Sequence, residues 1–295
     1  MIYLETFTFP DAEQETSFLL GEKRTCFASF YPFKILSRHR FKRIDFEPVT
    51  ILYGGNGTGK STALHVIAQK AGLARDAAYN RTRFFDDYVR MCGMRTAMPV
   101  PEGSRILTSD DVFDAMLDVR ALNDGMDRKR EEIFEDYWQD RRSGFQLSSM
   151  ADYEKLRRVN RARKHTQSRY VREELGMNVR TFSNGESAFR MFTEKIGENA
   201  LYLLDEPENS LSPARVLELC RFIGDSARFF GCQFVISTHS PFLLALRGAK
   251  VYDLDSDPVD VRRWTELENV RVYYAFFKEH EGEFGRSEGT PFAED

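Results

Sequence analysis

The 295-residue sequence predicts an α/β protein, on three observations. A β-branched apolar run at 49–53 (VTILY) leads through a glycine-rich loop into apolar residues at helical spacing, 63–68 (ALHVIA). Two more short apolar runs, 200–204 (ALYLL) and 233–237 (QFVIS), have the length and composition of buried strands. Helical patterning surrounds them, including a long charged stretch over 112–175. Strands alternating with helices imply a parallel core.

The loop is GGNGTGKST, residues 54–62, and fits the pattern G-x-x-x-x-G-K-[ST]. Strand, glycine loop and helix form the setting that this pattern needs. Gly54, Gly55, Asn56, Gly57, Thr58 and Gly59 let backbone N–H groups curl round a phosphate chain. Lys60, Ser61 and Thr62 open the helix, whose free N–H groups and positive dipole end favour anions. Lys60 is placed to reach β- and γ-phosphates, and the Ser61 hydroxyl to hold Mg²⁺.

The chain ahead of the loop reads as strands: 2–9, ended by Pro10, then 26–31 (CFASFY), then 41–46 with near-alternating apolar residues. A small antiparallel lobe is expected there. Residues 73–101 give no clear assignment. A strand is predicted over 105–108, followed by a helix cap at Ser109-Asp110-Asp111. The helical stretch 112–175 should break near 123–125 (NDG) and 143–144 (SG). Farther on, Ser212 and Pro213 mark a helix start for 213–222, and 251–254 is expected as the last strand. A helix is predicted over 266–280 with Tyr273, Tyr274, Phe276 and Phe277 as anchors, then a frayed polar tail over 281–295.

Hydrophobic residues make up 42% and charged residues 30%, which suits a water-soluble globular chain. No apolar run is long enough to span a bilayer, and the first residues lack a secretory pattern. The four cysteines show no C-x-x-C spacing, which points to the reducing cytoplasm. A net charge of −4 leaves nucleic acid only a local patch to bind. The candidate is 155–172, which carries eight Lys and Arg, has no acid, and is flanked by Tyr153 and Tyr170. It reads either as a solvated helix face, balanced by the acidic 131–140 segment, or as a surface for nucleic acid or a partner's acidic face.

Four elements follow the glycine loop in a fixed order. Residues 201–207 (LYLLDEP) form a strand that delivers Asp205 and Glu206 to its C-terminal end, where they face the phosphate loop in a parallel sheet. Asp205 suits Mg²⁺, and Glu206 can orient and deprotonate a water. His239, after the strand at 233–237, can reach a γ-phosphate. Residues 183–187 (SNGES) open a helix, so Ser183, Gly185 and Glu186 form a second anion site. Such a site has a purpose if it closes on a nucleotide held by another subunit.

These elements resemble the ABC-type ATPase domain. GGNGTGKST is similar to its Walker A, SNGES to its signature, LYLLDEP to Walker B with the catalytic glutamate, ENSLSP (208–213) to the D-loop and STHSP (237–241) to the switch histidine loop. The resemblance covers roughly 41–255. Its flavour is that of the soluble SMC-, RecF- and OLD-like branch, and of small stand-alone bacterial AAA-family ATPases. It implies one P-loop NTPase domain over 1–295, with an N-terminal antiparallel β lobe and a helical arm at 112–175. It also implies ATP and Mg²⁺ as ligands and hydrolysis of ATP through Lys60, Glu206 and His239. The partner it implies is a second copy, or a related ATPase subunit, that sandwiches ATP against Ser183 and Gly185.

The sequence departs from the family in two places. No glutamine follows the strand after the first helix; Ser109, Asp110 or Asp111 stands there, with Asp110 a candidate for Mg²⁺, while Gln69 and Gln146 are poorly placed. The signature carries Asn184 and Glu186 where transporters prefer Gly and Gln. The adenine-stacking residue is open among Tyr3, Phe30, Tyr31 and Phe41. His39, His65, His165 and His280 read as surface or packing histidines.

Overall fold

The computed structural model describes residues 1–24, 26–144, 153–175 and 184–284. Strand β1 is Leu4–Thr8, and α1 is Ala12–Gly21, opened by a reciprocal cap between Asp11 and Gln14. Strand β2 is Arg43–Asp45 and β3 is Val49–Tyr53, buried along its whole length. Helix α2 is Lys60–Ala71, α3 is Phe85–Met91, β4 is Gly93–Thr96 and β5 is Arg105–Thr108. The segment 26–31 is not a strand; it runs through turns. Its aromatic residues reflect packing instead, with Phe30 stacked 4.7 Å from Phe84 and Phe27 edge-on to the same ring.

Helix α4 is Ser109–Arg142, α5 is Tyr153–Lys164 and α6 is Gln167–Glu174. The cap of α4 is Thr108, not the residues after it. The Asp111 carboxylate accepts from the Thr108 N–H (2.6 Å) and hydroxyl (2.9 Å), and the Asp111 N–H donates back to that hydroxyl (3.2 Å). The expected break at 123–125 does not occur, because the propensity cost of Asn-Asp-Gly, roughly 2 kcal/mol, is small against a helix of 34 residues. The break at 143–144 does occur.

The rest is α7 (Asn184–Lys195), β6 (Leu201–Asp205), α8 (Pro213–Phe229), β7 (Gln233–Ser237), α9 (Pro241–Leu244), β8 (Lys250–Asp253), β9 (Asp260–Val261), α10 (Glu268–Glu279) and α11 (Glu281–Phe284). Ser212 occupies the N-cap position of α8, but its side chain makes no capping bond. β8 is not the last strand, since β9 pairs with it antiparallel. Residues 281–284, expected in a frayed tail, are helical; 285–295 lie outside the described residues.

The chain divides into two compact units, Met1–Val112 with Asn184–Asp295, and Phe113–Ser183. The first holds two sheets. One is antiparallel, in the order β2-β1-β4, and is the expected N-terminal lobe completed by a strand from beyond α3. The other has the order β5-β6-β7-β3-β8-β9 and is parallel apart from β9. Gln233 ties the sheets together: its amide oxygen accepts from the N–H groups of Tyr3 and Leu4, and its amide nitrogen donates to the Leu4 carbonyl.

The second unit is helical, with Ile133, Tyr137, Ala162, Tyr170 and Val171 as its core. Tyr170 is therefore a core residue rather than an exposed flank of the basic stretch. Part of that stretch is spent inside the unit. Arg161 and Arg169 pair with Glu173, and Arg163 donates to the Ser143 carbonyl.

Candidate functional site

In the parallel sheet β7 lies between β6 and β3, with Asp205 opposite Ser237 and Ser237 opposite Leu52. This register brings three strand ends to one edge of the sheet. The glycine loop leaves β3 there, Asp205 and Glu206 leave β6, and the loop carrying His239 leaves β7.

The loop needs its glycines for two reasons. Gly59 has φ +97°, and a Cβ there would fall 2.8 Å from both Ile35 Cγ2 and Leu36 Cδ2. A Cβ at Gly54 would fall 2.7 Å from Thr58 Oγ1. Lys60 is buried and folds back, its Nζ donating to the carbonyls of Gly54 (2.8 Å) and Gly55 (3.0 Å). The Gly55 N–H donates to the Asp255 carboxylate, an anion already accepted by the loop and not foreseen from the sequence.

Ser61 Oγ donates to Asp205 Oδ1 at 3.0 Å, and the Ser237 hydroxyl donates to the same oxygen. Burial pushes the Asp205 carboxyl up to about 6, with the Glu206 charge adding and the two serine bonds opposing. Half-buried Ser61 and buried Asp205 thus form a hydroxyl–carboxylate pair that fits Mg²⁺, an ion commonly held by one or two protein oxygens together with substrate phosphates. Among the described residues no three His, Cys, Asp or Glu side chains converge as a cage for a metal.

Glu206 adopts a left-handed backbone, φ 46° and ψ 54°, and its N–H is held by the Ser237 carbonyl (3.0 Å). This strained turn aims one carboxylate oxygen 3.4 Å from Lys60 Nζ and 3.8 Å from His239 Nδ1. The other oxygen accepts from Asn209 Nδ2 at 2.9 Å. Glu208 organises the next loop, with Oε1 accepting from the Thr238 hydroxyl (2.5 Å) and the N–H groups of His239 (3.1 Å) and Ser240 (3.2 Å).

A polar cavity of about 550 Å³ opens beside this cluster. Ser61, Asp205 and Glu206 form one wall, and Asp110, Arg75 and His65 contribute to the others. Asp110 thus lines the same cavity as Ser61 and Asp205, whereas the Asp111 carboxylate is spent on the α4 cap and on the Ala77 N–H. His65 packs as expected, stacked on Tyr79, and it also stands 3.9 Å from Asp205. Burial first, and then Arg75, push His65 down to about 4, so it is neutral near pH 7.

Ser183 lies outside the described residues, as does Gln146. Gly185 and Glu186 start α7, and a Cβ on Gly185 would sit 3.7 Å from the Ser210 carbonyl and 3.8 Å from the Ser212 N–H. Tyr3 and Phe41 are buried in the core and unable to stack on a base. Phe30 packs on Phe84, and Tyr31 stands beside the loop with its hydroxyl 3.1 Å from Thr62 Oγ1. Asp255 was not singled out by sequence reasoning, and His65 was read there only as a surface or packing residue. Glu208 and Asn209 carried a signal as the start of the 208–213 motif, but their hydrogen-bonding roles were not foreseen.

Residues 109–245, just under half of the chain, match the family model described as "AAA domain, putative AbiEii toxin, Type IV TA system". No curated protein matches the sequence significantly. Solved structures with a related shape include a nucleotide-free ATP-binding cassette from an ABC transporter, at 13% identity and TM-score 0.41, covering 93% of this chain and 96% of that one. The Smc head domain of Pyrococcus furiosus, bound to the C-terminal domain of ScpA, is 13% identical with TM-score 0.43, covering 95% and 100%. The SMC head domain of Thermotoga maritima is 12% identical with TM-score 0.39, covering 89% and 99%. These three likenesses are distant. Residues 109–245 are thus matched to an AAA domain.

Proposed function

We propose that the protein binds ATP with Mg²⁺ and hydrolyses it, and that two copies, or one copy and a related subunit, close around the nucleotide. The observation that carries this reading is the Glu206 carboxylate oxygen standing 3.4 Å from Lys60 and 3.8 Å from His239. An acceptor for a water proton, a cation for phosphate charge and a second nitrogen donor then converge on one point.

Water attacks the γ-phosphorus, the bond to the β,γ-bridging oxygen breaks, and the water's proton goes to Glu206. Lys60 leaves the Gly54 and Gly55 carbonyls for the phosphates and offsets their charge. His239 donates to the transferred group, and Ser61 and Asp205 would hold Mg²⁺. Bound there, Mg²⁺ would offset negative charge on the phosphates. Ser183 and Gly185 of one copy complete the site of the other, and hydrolysis releases the pair, which makes the protein a switch. The target is a nucleic acid or an effector protein that meets the helical unit through 155–172. The four cysteines are free, which suits a reducing cytoplasm, and no helix among the described residues is long and apolar enough to cross a membrane.

The decisive variant is Glu206→Gln. It should bind ATP with parental affinity, lose at least about a hundredfold in turnover, and accumulate a dimer with ATP in light scattering. Parental turnover in this variant refutes the assignment. A second reading, a slow ATPase that acts as a nucleotide-gated module docking an effector, is favoured by the hydrogen bond from the Asn269 side-chain amide to the His239 carbonyl, which links α10 to the loop of the site. Stimulation of turnover by DNA that is lost on changing Arg157, Arg158, Arg161 and Arg163 to Glu favours nucleic acid; indifference to DNA favours the module.

A further inference from the structure

Helix α10 buries only Val270 along its length, although it carries six large apolar side chains. Tyr274 and Phe277 are 61% and 53% exposed, and they face a groove of about 1580 Å³ whose other walls are α8 and α9. The floor is aliphatic, with Leu211, Val216, Leu217 and Leu246 among its residues. A contiguous apolar surface of this kind marks an interaction site. The rim is basic. Arg221, Arg228, Arg247 and Arg271 line it, exposed and without ion-pair partners among the described residues, against a single exposed acid, Asp225. The other acid in the groove, Glu208, is spent on the 238–240 loop. The rim is therefore strongly positive on a chain whose net charge is −4.

We propose that this groove docks an acidic amphipathic helix of a partner protein. The aromatic and aliphatic walls accept its apolar face, and the four arginines pair with carboxylates along its flanks. A second copy of the chain fits poorly, because a two-fold contact would set arginine rim against arginine rim. Single-stranded nucleic acid would suit the arginines and aromatic rings. The aliphatic floor, however, would leave the polar edges of the bases unpaired, whereas a helix satisfies its own backbone.

The test uses the full chain without nucleotide and a short fluorescein-labelled Leu/Glu-rich amphipathic peptide, read by fluorescence anisotropy. Saturable binding in the micromolar range is expected. Joint Arg221→Glu and Arg228→Glu substitution should weaken it at least about tenfold and allow the Leu/Lys counterpart to bind instead. Phe277→Ser should weaken it similarly, and circular dichroism should show both variants folded. Absence of binding, or binding indifferent to both variants, overturns the proposal. So does binding of a labelled oligouridylate that these substitutions abolish, which assigns the groove to nucleic acid. A dimer in light scattering that Phe277→Ser dissolves assigns it to a second copy and likewise overturns the proposal.

Discussion

The side-chain amide of Asn269 donates to the backbone carbonyl of His239 at 2.8 Å. The Asn269 N–H donates to the hydroxyl of Tyr53, the last residue of β3 before the glycine loop, at 3.1 Å. The first turn of α10 is therefore pinned to both sides of the candidate site. Replacing Asn269 by Ala removes one hydrogen bond, worth about 1 kcal/mol, and frees the His239 loop. Turnover should fall about tenfold with ATP affinity unchanged, as steady-state kinetics and calorimetry would show. Equal turnover in the variant would remove Asn269 from any positioning role.

Glu208 gathers three donors of the 238–240 loop on one oxygen. Glu208→Ala leaves them unpaired in a largely buried place and should cost ~2–4 kcal/mol, seen as a fall of several degrees in Tm. Glu208→Gln keeps an acceptor oxygen and should recover most of that loss. If Ala and Gln behave alike, the loop does not depend on this oxygen.

The left-handed turn at Glu206 costs about 1 kcal/mol for a residue with a Cβ. Glu206→Gly should therefore raise Tm slightly while abolishing turnover. Thermal unfolding and an ATPase assay on one preparation check both halves, and a lower Tm would contradict the strain.

The Asp205 carboxyl is raised from 3.8 to about 6 by burial, so the folded chain holds its proton more tightly than the unfolded chain. Ionised Asp205 then lowers stability above about pH 6; the cost shrinks as pH falls towards 3.8 and is absent below it. At neutral pH it amounts to roughly 2–3 kcal/mol. Without divalent cations, Asp205→Asn should melt above the parental protein at pH 8, and the gap should narrow as pH is lowered through 6. A gap independent of pH would place the effect elsewhere.

Gly57 and Gly59 both have positive φ, but only Gly59 lacks room for a Cβ. Gly57→Ala should cost about 1 kcal/mol, for the backbone alone. Gly59→Ala adds overlap with Ile35 and Leu36, so it should cost more and displace Lys60. Comparable Tm values for the two variants would show that the 35–36 segment yields freely.

The legible parts of this protein were those whose physics is local. A strand buried on both faces is a short apolar run, so β3, β6 and β7 stood out in the sequence. The glycine loop is a backbone requirement written in residue types, and Asp205 and Glu206 were identified by their place at a strand's end. What stayed illegible depended on partners distant in the chain. The aromatic run at 26–31 matched a strand's composition, but Phe27 and Phe30 pack on Phe84 and Tyr31 on Phe85. Tyr3 and Phe41 were candidates for stacking on a base, and their burial removed them; Tyr170, read as a flank of the basic stretch, is core. Tyr273, Tyr274, Phe276 and Phe277 had the spacing of core anchors, yet the structure leaves them exposed. Hydrophobic periodicity shows that a helix has an apolar face and does not show what covers it.

The glycine loop, the order of the motifs and the α/β class could be read from the chain alone, because each is encoded within a few adjacent residues. The tertiary structure decided the rest. Strand register set Asp205 beside Ser61 and Ser237. A strained turn aimed Glu206 at Lys60 and His239. Asn269, 30 residues beyond His239, came to hold that loop in place. Such contacts depend on how distant segments pack, and no local pattern of residues specifies them.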